Sequence, residues 1–295
     1  MKIKVITSYK PGTWESFARR GIHSMAEQFP KEIDIVMYCE ESQPTDVDSR
    51  IKCIDLNTAE PELFNFKNKY KKDPVANGKM EQVDGGVRRS LELQGLDKDK
   101  DSFLWDAVRF SNKVFCIVNA VRNSNDYDYV LWVDADTFTF RTVPLDFFSK
   151  LLPLDTMLTY LGRENPTLND GGVYPECGFV GYNLKHVETQ NFINDWEQLY
   201  TTGNVFKILE WHDSFVFWHL SKIYKKEKNV TFNDIGYNKG VKGHHVFINS
   251  ELGLYMDHFK GKRKQAGISA KKDLRANPNA TINVHEIDYW KELPN

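Results

Sequence analysis

The chain has few of the features that mark membrane, secreted or nucleic-acid-binding proteins. No apolar run approaches the roughly 20 residues that a transmembrane helix needs. At the N-terminus, Lys4 and the early Pro11-Gly12 pair argue against a signal peptide. The formal net charge is only -2, so no general attraction to nucleic acid or anionic membranes is expected, although local basic clusters leave nucleic acid open. We therefore expect a cytoplasmic protein without a membrane span.

Cysteine is also scarce, and its spacing excludes two further classes of protein. The four cysteines are far apart and have apolar neighbours: Cys39, Cys53, Cys116 and Cys177. They favour free buried thiols over a disulfide framework or a zinc site. With 41% hydrophobic and 27% charged residues, the composition is that of an ordinary globular protein.

The first part of the chain has the pattern of a βαβ unit. Apolar segments at 2–9, 33–39 and 50–56 predict strands. Between the first two, apolar residues recur at helical spacing over 14–29, with Thr13 as a candidate N-cap. Strands that alternate with helices in this way indicate an α/β protein with a mostly parallel sheet.

The rest of the chain continues this pattern around a polar segment. Residues 57–102 are rich in Lys, Asp, Asn and Gly and predict an insertion of short helices and loops. Beyond it, apolar spacing predicts helices at 103–121, 187–200 and 215–223, strands at 130–133, 156–161 and 175–183, one or two short strands within 246–256, and a possible strand at 282–285.

Two carboxylates follow the most apolar of these strands. Val130 to Val133 read as a buried strand, and Asp134 and Asp136 stand one residue apart where it should end. Ligands of open α/β sheets bind at the carboxyl ends of strands. Paired carboxylates there favour Mg²⁺ or Mn²⁺. The alternative is a surface turn, in which Asp is common.

A basic loop near the end of the chain supplies complementary groups. It runs His258-Phe259-Lys260-Gly261-Lys262-Arg263-Lys264. A metal ion with Lys and backbone N–H groups beside it is a common way to hold a diphosphate. On the long helix, Arg109 and Lys113 lie four residues apart, where they form either a solvated flank or a contact to an anion.

Together these motifs resemble the GT-A class of nucleotide-sugar glycosyltransferases, closest to the retaining family eight that includes glycogenin and bacterial lipopolysaccharide galactosyltransferases. The resemblance implies that Asp134, Asp136 and His258 bind Mn²⁺ (or Mg²⁺). Further donor contacts would come from Thr7, Ser8, Tyr9, Arg109, Lys113, Ala135, Gly261 and Lys264. It covers roughly residues 1–265 as a GT-A domain with the insertion at 57–102, leaving 266–295 as a C-terminal tail.

The resemblance implies transfer of a hexose from a nucleotide-diphosphate sugar, with a UDP-sugar favoured, to a hydroxyl of a glycan. Gln265-Ala266 replaces the family's usual Pro-Trp, and Glu176 stands where Asn is more usual, so the exact family and retention stay open. An inverting enzyme needs a carboxylate base, for which Asp213 is the first candidate and Glu176 the second. At Asp213 the alternative role is a helix N-cap.

Three other functions remain on the same scaffold. One is transfer to a DNA base or a protein, and another is a non-catalytic nucleotide-sugar-binding protein. The third is a nucleotidyltransferase, which would usually carry a Gly-rich loop with Arg and Lys after the first strand. The segment Thr7 to Gly12 fits that pattern poorly.

Overall fold

A seven-stranded sheet of mostly parallel strands organises the protein, as the sequence predicts. The computed structural model describes residues 1–78, 102–163, 174–236, 245–261, 263–274 and 286–294. The strand order is β3-β2-β1-β4-β7-β6-β8. The strands are β1 (Ile3–Tyr9), β2 (Asp34–Cys39), β3 (Ile51–Asp55), β4 (Tyr129–Val133), β6 (Leu158–Leu161), β7 (Glu176–Asn183) and β8 (Phe232–Asp234). A separate two-stranded sheet pairs β5 (Thr137–Thr139) with β9 (Met256–His258).

The two halves of the large sheet, β3-β2-β1-β4 and β7-β6-β8, differ because only the second contains a strand, β7, that is antiparallel to the rest. Strands β1 to β4 are parallel to one another, whereas β7 pairs antiparallel with both β4 and β6, and β8 is parallel to β6. All five residues of β4 are buried, which is typical of a central strand with both faces covered. The site described below lies where the two halves meet, at the end of β4.

Helices cover both faces of the sheet, and a buried apolar core lies on each side. The helices are α1 (Arg19–Gln28), α2 (Leu56–Ala59), α3 (Pro61–Tyr70), α4 (Ala107–Arg122), α5 (Leu145–Leu151), α6 (Val187–Thr201), α7 (Asp213–Glu227), α8 (Arg263–Ala266) and α9 (Asp288–Lys291), with 3₁₀ turns at Ser102–Trp105, Asn204–Lys207, Glu251–Leu254 and Lys271–Asp273. Among the described residues, none of the helices combines the length and the apolarity needed to cross a membrane.

The two segments that the sequence sets apart from the core both contact it. At the start of the predicted insertion, α3 buries Leu63 and Phe66. Near the C-terminus, Trp290 is buried and its Nε1 donates to the Gly253 carbonyl at 2.6 Å. The remainder of the insertion, 79–101, and the possible strand at 282–285 lie outside the described residues.

The first predicted helix has a different start from the one expected. Residues Trp14–Ala18 form a π-helical turn, and α1 follows it directly. The Thr13 side chain makes no capping hydrogen bond. Its hydroxyl instead donates to the Lys10 carbonyl at 2.6 Å. Thr13 therefore occupies the predicted N-cap position but does not cap the helix with its side chain.

The strands predicted within 246–256 do not form there. This stretch consists of turns and a 3₁₀ helix, and only Met256–His258 is a strand. Polar side chains stabilise the turns: Asn249 Nδ2 donates to the His245 carbonyl at 2.9 Å, and Ser250 Oγ accepts from the Leu252 amide at 3.3 Å. The buried apolar residues here therefore pack as a turn-rich segment rather than as a strand.

Candidate functional site

The two carboxylates lie at the end of the central strand β4. Asp134 directly follows it, and the Asp134 amide donates to the Gly178 carbonyl at 3.0 Å, which ties the segment to β7. Next, β5 pairs antiparallel with β9 and aligns Thr137 with His258. The Phe259 amide donates to the Asp136 carbonyl at 2.9 Å. This small sheet brings His258 to the carboxylates from 122 residues further along the chain.

The three side chains converge on one point. His258 Nε2 lies 3.1 Å from Asp136 Oδ1 and 3.5 Å from Asp134 Oδ2. One ligand atom from each residue lies within 4.8 Å of the other two. Ligands about 2.0–2.6 Å from a shared ion at right angles are separated by about 3–3.7 Å. The spacing and the donor set of two carboxylates and an imidazole fit a divalent cation.

Cationic and N–H groups hold the other oxygen of each carboxylate. Asp134 Oδ1 accepts from Lys113 Nζ at 3.1 Å and from Trp132 Nε1 at 2.6 Å. Asp136 Oδ2 lies 2.7 Å from Lys264 Nζ. Each carboxylate is therefore oriented through one oxygen and presents the other to His258.

Ion pairing decides the protonation of this cluster. Burial by itself would raise the pKa of Asp134, but Lys113 and His258 outweigh it and hold that pKa far below its usual range. Burial likewise opposes ionisation of Asp136, whose pKa is nevertheless lowered, mainly by His258. For His258, burial lowers the pKa, but Asp136 and Asp134 raise it to about 9. Both carboxylates are thus ionised, as metal ligands must be, and a cation would displace the imidazole proton.

Gly178 makes the position of His258 possible. A Cβ at Gly178 would lie 2.6 Å from His258 Cε1, too close for any larger residue. On the other side, His245 Nε2 is 2.8 Å from the His258 carbonyl. The glycine in β7 thus makes room for the histidine ring.

Lys113 connects three elements in the interior. Its Nζ lies 3.1 Å from Asp134 Oδ1, 2.7 Å from Asp213 Oδ2 and 2.6 Å from the Cys177 carbonyl. A lysine ammonium has three protons to donate, and these three acceptors engage them all. In this arrangement Lys113 ties α4 to the end of β4, to β7 and to α7.

The two candidate bases are both in ion pairs. Asp213 is the first residue of α7, and His212 occupies the N-cap position. Glu176 is buried, and its Oε2 contacts Arg163 at 2.8 Å and the Lys260 ammonium. Burial would raise the pKa of Glu176, but Lys260, His258 and Arg163 lower it well below its usual range. Both carboxylates are therefore held by cations next to the cluster.

A cleft of about 540 Å³ opens beside these groups. It brings together most of the residues selected from the sequence, namely Ser8, Tyr9, Arg109, Lys113, Asp134, Ala135, Asp136, Glu176, Asp213 and Lys264. Three of the selected residues do not line it. Thr7 and His258 are buried, and Gly261 lies in the exposed turn after β9 at a φ of +56°.

Other groups in the site were not selected from the sequence. Trp132 contacts Asp134, and Lys260 and Arg163 contact Glu176. Glu40 lines the cleft and accepts from Ser8 Oγ at 3.2 Å. Only Glu40 had a usable signal, because it directly follows a predicted parallel strand.

No protein-family model matches this chain, and no curated protein matches it. Solved structures are similar to it, among them three glycosyltransferases. Mouse xyloside xylosyltransferase 1 is 13% identical with a TM-score of 0.44, covering 79% of this chain and 84% of its own. A glycosyltransferase that glycosylates the major capsid of PBCV-1 is 11% identical with a TM-score of 0.44, covering 90% and 98%. The bifunctional glycosyltransferase WbbM is 13% identical with a TM-score of 0.46, covering 88% and 46%. At such low similarity, the function of this chain has to be argued from its own site.

Proposed function

We propose that this chain is a metal-dependent glycosyltransferase of the GT-A class. It would transfer a hexose from a nucleotide-diphosphate sugar, with a UDP-sugar as the first choice, to a hydroxyl of a glycan. The observation that carries the proposal is the convergence of Asp134, Asp136 and His258 within 4.8 Å, at the end of a central strand and beside a lysine-containing cleft.

Asp134, Asp136 and His258 would hold Mn²⁺ or Mg²⁺. A divalent cation at this position stabilises negative charge on a departing diphosphate. The protein contributes a fixed set of ligands, because Lys113 and Lys264 each hold one carboxylate from the side away from His258. Such ligand orientation by neighbouring groups is typical of metal sites.

Two lysines are placed to bind the diphosphate itself. The side chains of Lys264 and Lys260 line the cleft and remain 34% and 39% exposed. Lys264 returns towards the site through a turn in which its amide donates to the Gly261 carbonyl at 3.2 Å. Gly261 supports the diphosphate site through this turn, and the nucleoside would lie along Ser8, Tyr9 and Ala135.

The ion pairs of Asp213 and Glu176 favour retention of configuration over inversion. A general base must be able to accept a proton near the operating pH. The lowered pKa of Glu176 and the contact of Asp213 with Lys113 weaken both carboxylates in that role. They are better suited to orient sugar hydroxyls, while the leaving phosphate takes the acceptor proton.

Residues 1–265 would form the catalytic domain.

A thermal-shift panel tests the proposal. UDP-, GDP-, CDP- and dTDP-sugars are added with and without Mn²⁺, since a ligand that binds the folded state raises Tm by mass action. We expect stabilisation by one nucleotide sugar that disappears with EDTA, followed by slow metal-dependent hydrolysis of that donor. Stabilisation without any turnover would favour a non-catalytic binding protein. Conversion of the nucleotide sugar to a nucleoside triphosphate and a sugar 1-phosphate when pyrophosphate is added would favour a nucleotidyltransferase.

A further inference from the structure

The cleft has an aromatic end whose role the donor site does not explain. Four rings line it: Phe103, Phe110, Tyr174 and His212, here called the aromatic wall. The His212 ring lies 5.5 Å from Phe103, 6.1 Å from Phe110 and 5.4 Å from Tyr174, measured between centroids. Phe103 is 40% exposed. A ring left this open at a cleft is available to a ligand.

The wall is preformed, because its segments are bonded to one another. The Trp211 amide donates to the Leu104 carbonyl at 2.7 Å. Glu210 joins two of the rings: its Oε1 accepts from the Tyr174 hydroxyl at 2.9 Å, and its Oε2 is 2.9 Å from His212 Nε2. The rings therefore need little reordering before a ligand stacks on them, which lowers the entropic cost of binding.

The position of the wall points to the acceptor rather than the donor. His212 immediately precedes Asp213, whose Oδ2 is 2.7 Å from Lys113 Nζ. That Nζ is in turn 3.1 Å from Asp134 Oδ1. The wall thus begins next to Asp213, whereas Asp134 of the carboxylate cluster is joined to Asp213 through Lys113. The nucleoside groups proposed above, Ser8 and Tyr9, belong to β1.

We propose that the aromatic wall is the acceptor subsite and that it binds a pyranose ring of a glycan. A pyranose has apolar C–H faces and a rim of hydroxyls. The wall offers exposed ring surface, and Arg109, Asp213 and Ser214 stand beside it in the same cleft to bind hydroxyls. A purely apolar ligand would take water from those groups without hydrogen-bonding to them, at a cost. This inference rests on the proposed function, because it supplies the acceptor of that reaction.

The test uses methyl β-D-galactopyranoside, methyl β-D-glucopyranoside and methyl α-D-mannopyranoside as probes. Saturation-transfer NMR on the full chain measures their affinities and the protons that contact protein. We expect the strongest transfer at ring C–H protons of at least one hexoside. Phe103→Ala should weaken its binding by roughly three- to tenfold, and Phe103→Trp should retain it. Phe64→Ala is the matched control, since Phe64 is 53% exposed and does not line the cleft.

The possible outcomes separate this inference from the proposed function. Unchanged hexoside binding in Phe103→Ala, or no binding of any probe to the wild type, would overturn it. A loss of UDP-induced stabilisation in Phe103→Ala would also overturn it, because the ring would then belong to the nucleotide site. Failure of the proposed function looks different: no nucleotide sugar stabilises the wild type, whatever the hexosides do.

Discussion

The two ends of the cleft are built on different principles. At the carboxylate end, side chains from β4, β7 and β9 are fixed by charge: Asp136, for example, lies between His258 and Lys264. At the aromatic end, ring packing defines the surface. A charge network fails when one member is lost, because the remaining charges stay buried without partners. Replacing one ring removes only part of the stacking surface, so the aromatic end should tolerate substitution better.

The largest effect is expected from Asp136→Ala. It removes a proposed metal ligand, which is one of the two carboxylates that face His258 Nε2. Mn²⁺ affinity and metal-dependent donor hydrolysis should fall by at least about 100-fold. Isothermal titration with Mn²⁺ measures the first quantity, and nucleotide release measures the second.

Asp146→Ala is the control for this variant, because Asp146 is exposed and pairs with Lys150 in an i,i+4 contact. It should behave like the wild type in both assays. Circular dichroism verifies that both variants fold. A folded Asp136→Ala protein with normal Mn²⁺ affinity would contradict the metal site.

Lys113→Met should mainly affect stability. The side chain is 10% exposed and contacts Asp134 and Asp213. Removing the ammonium leaves two poorly solvated carboxylates without their shared partner, which costs about 3–5 kcal/mol of unfolding free energy. Urea denaturation measures the change.

The matched control for that experiment is Lys150→Met. The Lys150–Asp146 pair is exposed, with side chains 76% and 65% accessible, and such pairs contribute about 0–1 kcal/mol. If both lysine variants lost the same small amount, Lys113 would not tie the elements together as the distances indicate.

The sequence predicted the carboxylate end better than the aromatic end for a physical reason. Asp134 and Asp136 directly follow a run of buried residues, so strand and site are local in sequence. His258 is far away, but its loop has a recognisable composition. The aromatic wall has no local signature, since Phe103, Tyr174 and His212 come from segments that only tertiary packing brings together.

The same contrast explains the errors. The apolar residues of 246–256 are typical of a strand. The segment instead turns, and Ser250 caps a 3₁₀ helix there, which the spacing of apolar residues does not reveal. The α/β architecture was predictable because the spacing of apolar residues in the sequence distinguishes its strands from its helices. The antiparallel insertion of β7 between β4 and β6 was not, because it depends on pairing between distant segments.

Arg109→Ala probes the boundary between the two ends. Arg109 is exposed, lines the cleft and lies over the Phe110 ring, with 5.3 Å from Cζ to the centroid. If it binds the donor, kcat/KM should fall, and the fall should correspond to a loss of about 1.5–3 kcal/mol of transition-state stabilisation. The loss should lie at the lower end of this range because the residue is exposed. Arg141→Ala, an exposed arginine outside the cleft, is the control. Equal kcat/KM in both variants would mean that Arg109 belongs to a solvated helix flank and does not bind the donor.

The smallest effect is expected from Asp213→Asn, and it tests the mechanism. The amide keeps an oxygen that can accept from Lys113 Nζ, now 2.7 Å from Asp213 Oδ2. If Asp213 orients sugar hydroxyls in a retaining enzyme, kcat should fall by less than about tenfold. If it is the base of an inverting enzyme, the loss should be about 10²–10⁴-fold, because an amide cannot take the proton. NMR of the anomeric proton in fresh product gives the stereochemistry independently. An inverted product together with a fully active Asp213→Asn variant would exclude Asp213 as the base and leave Glu176, whose carboxylate would first have to separate from Lys260 and Arg163.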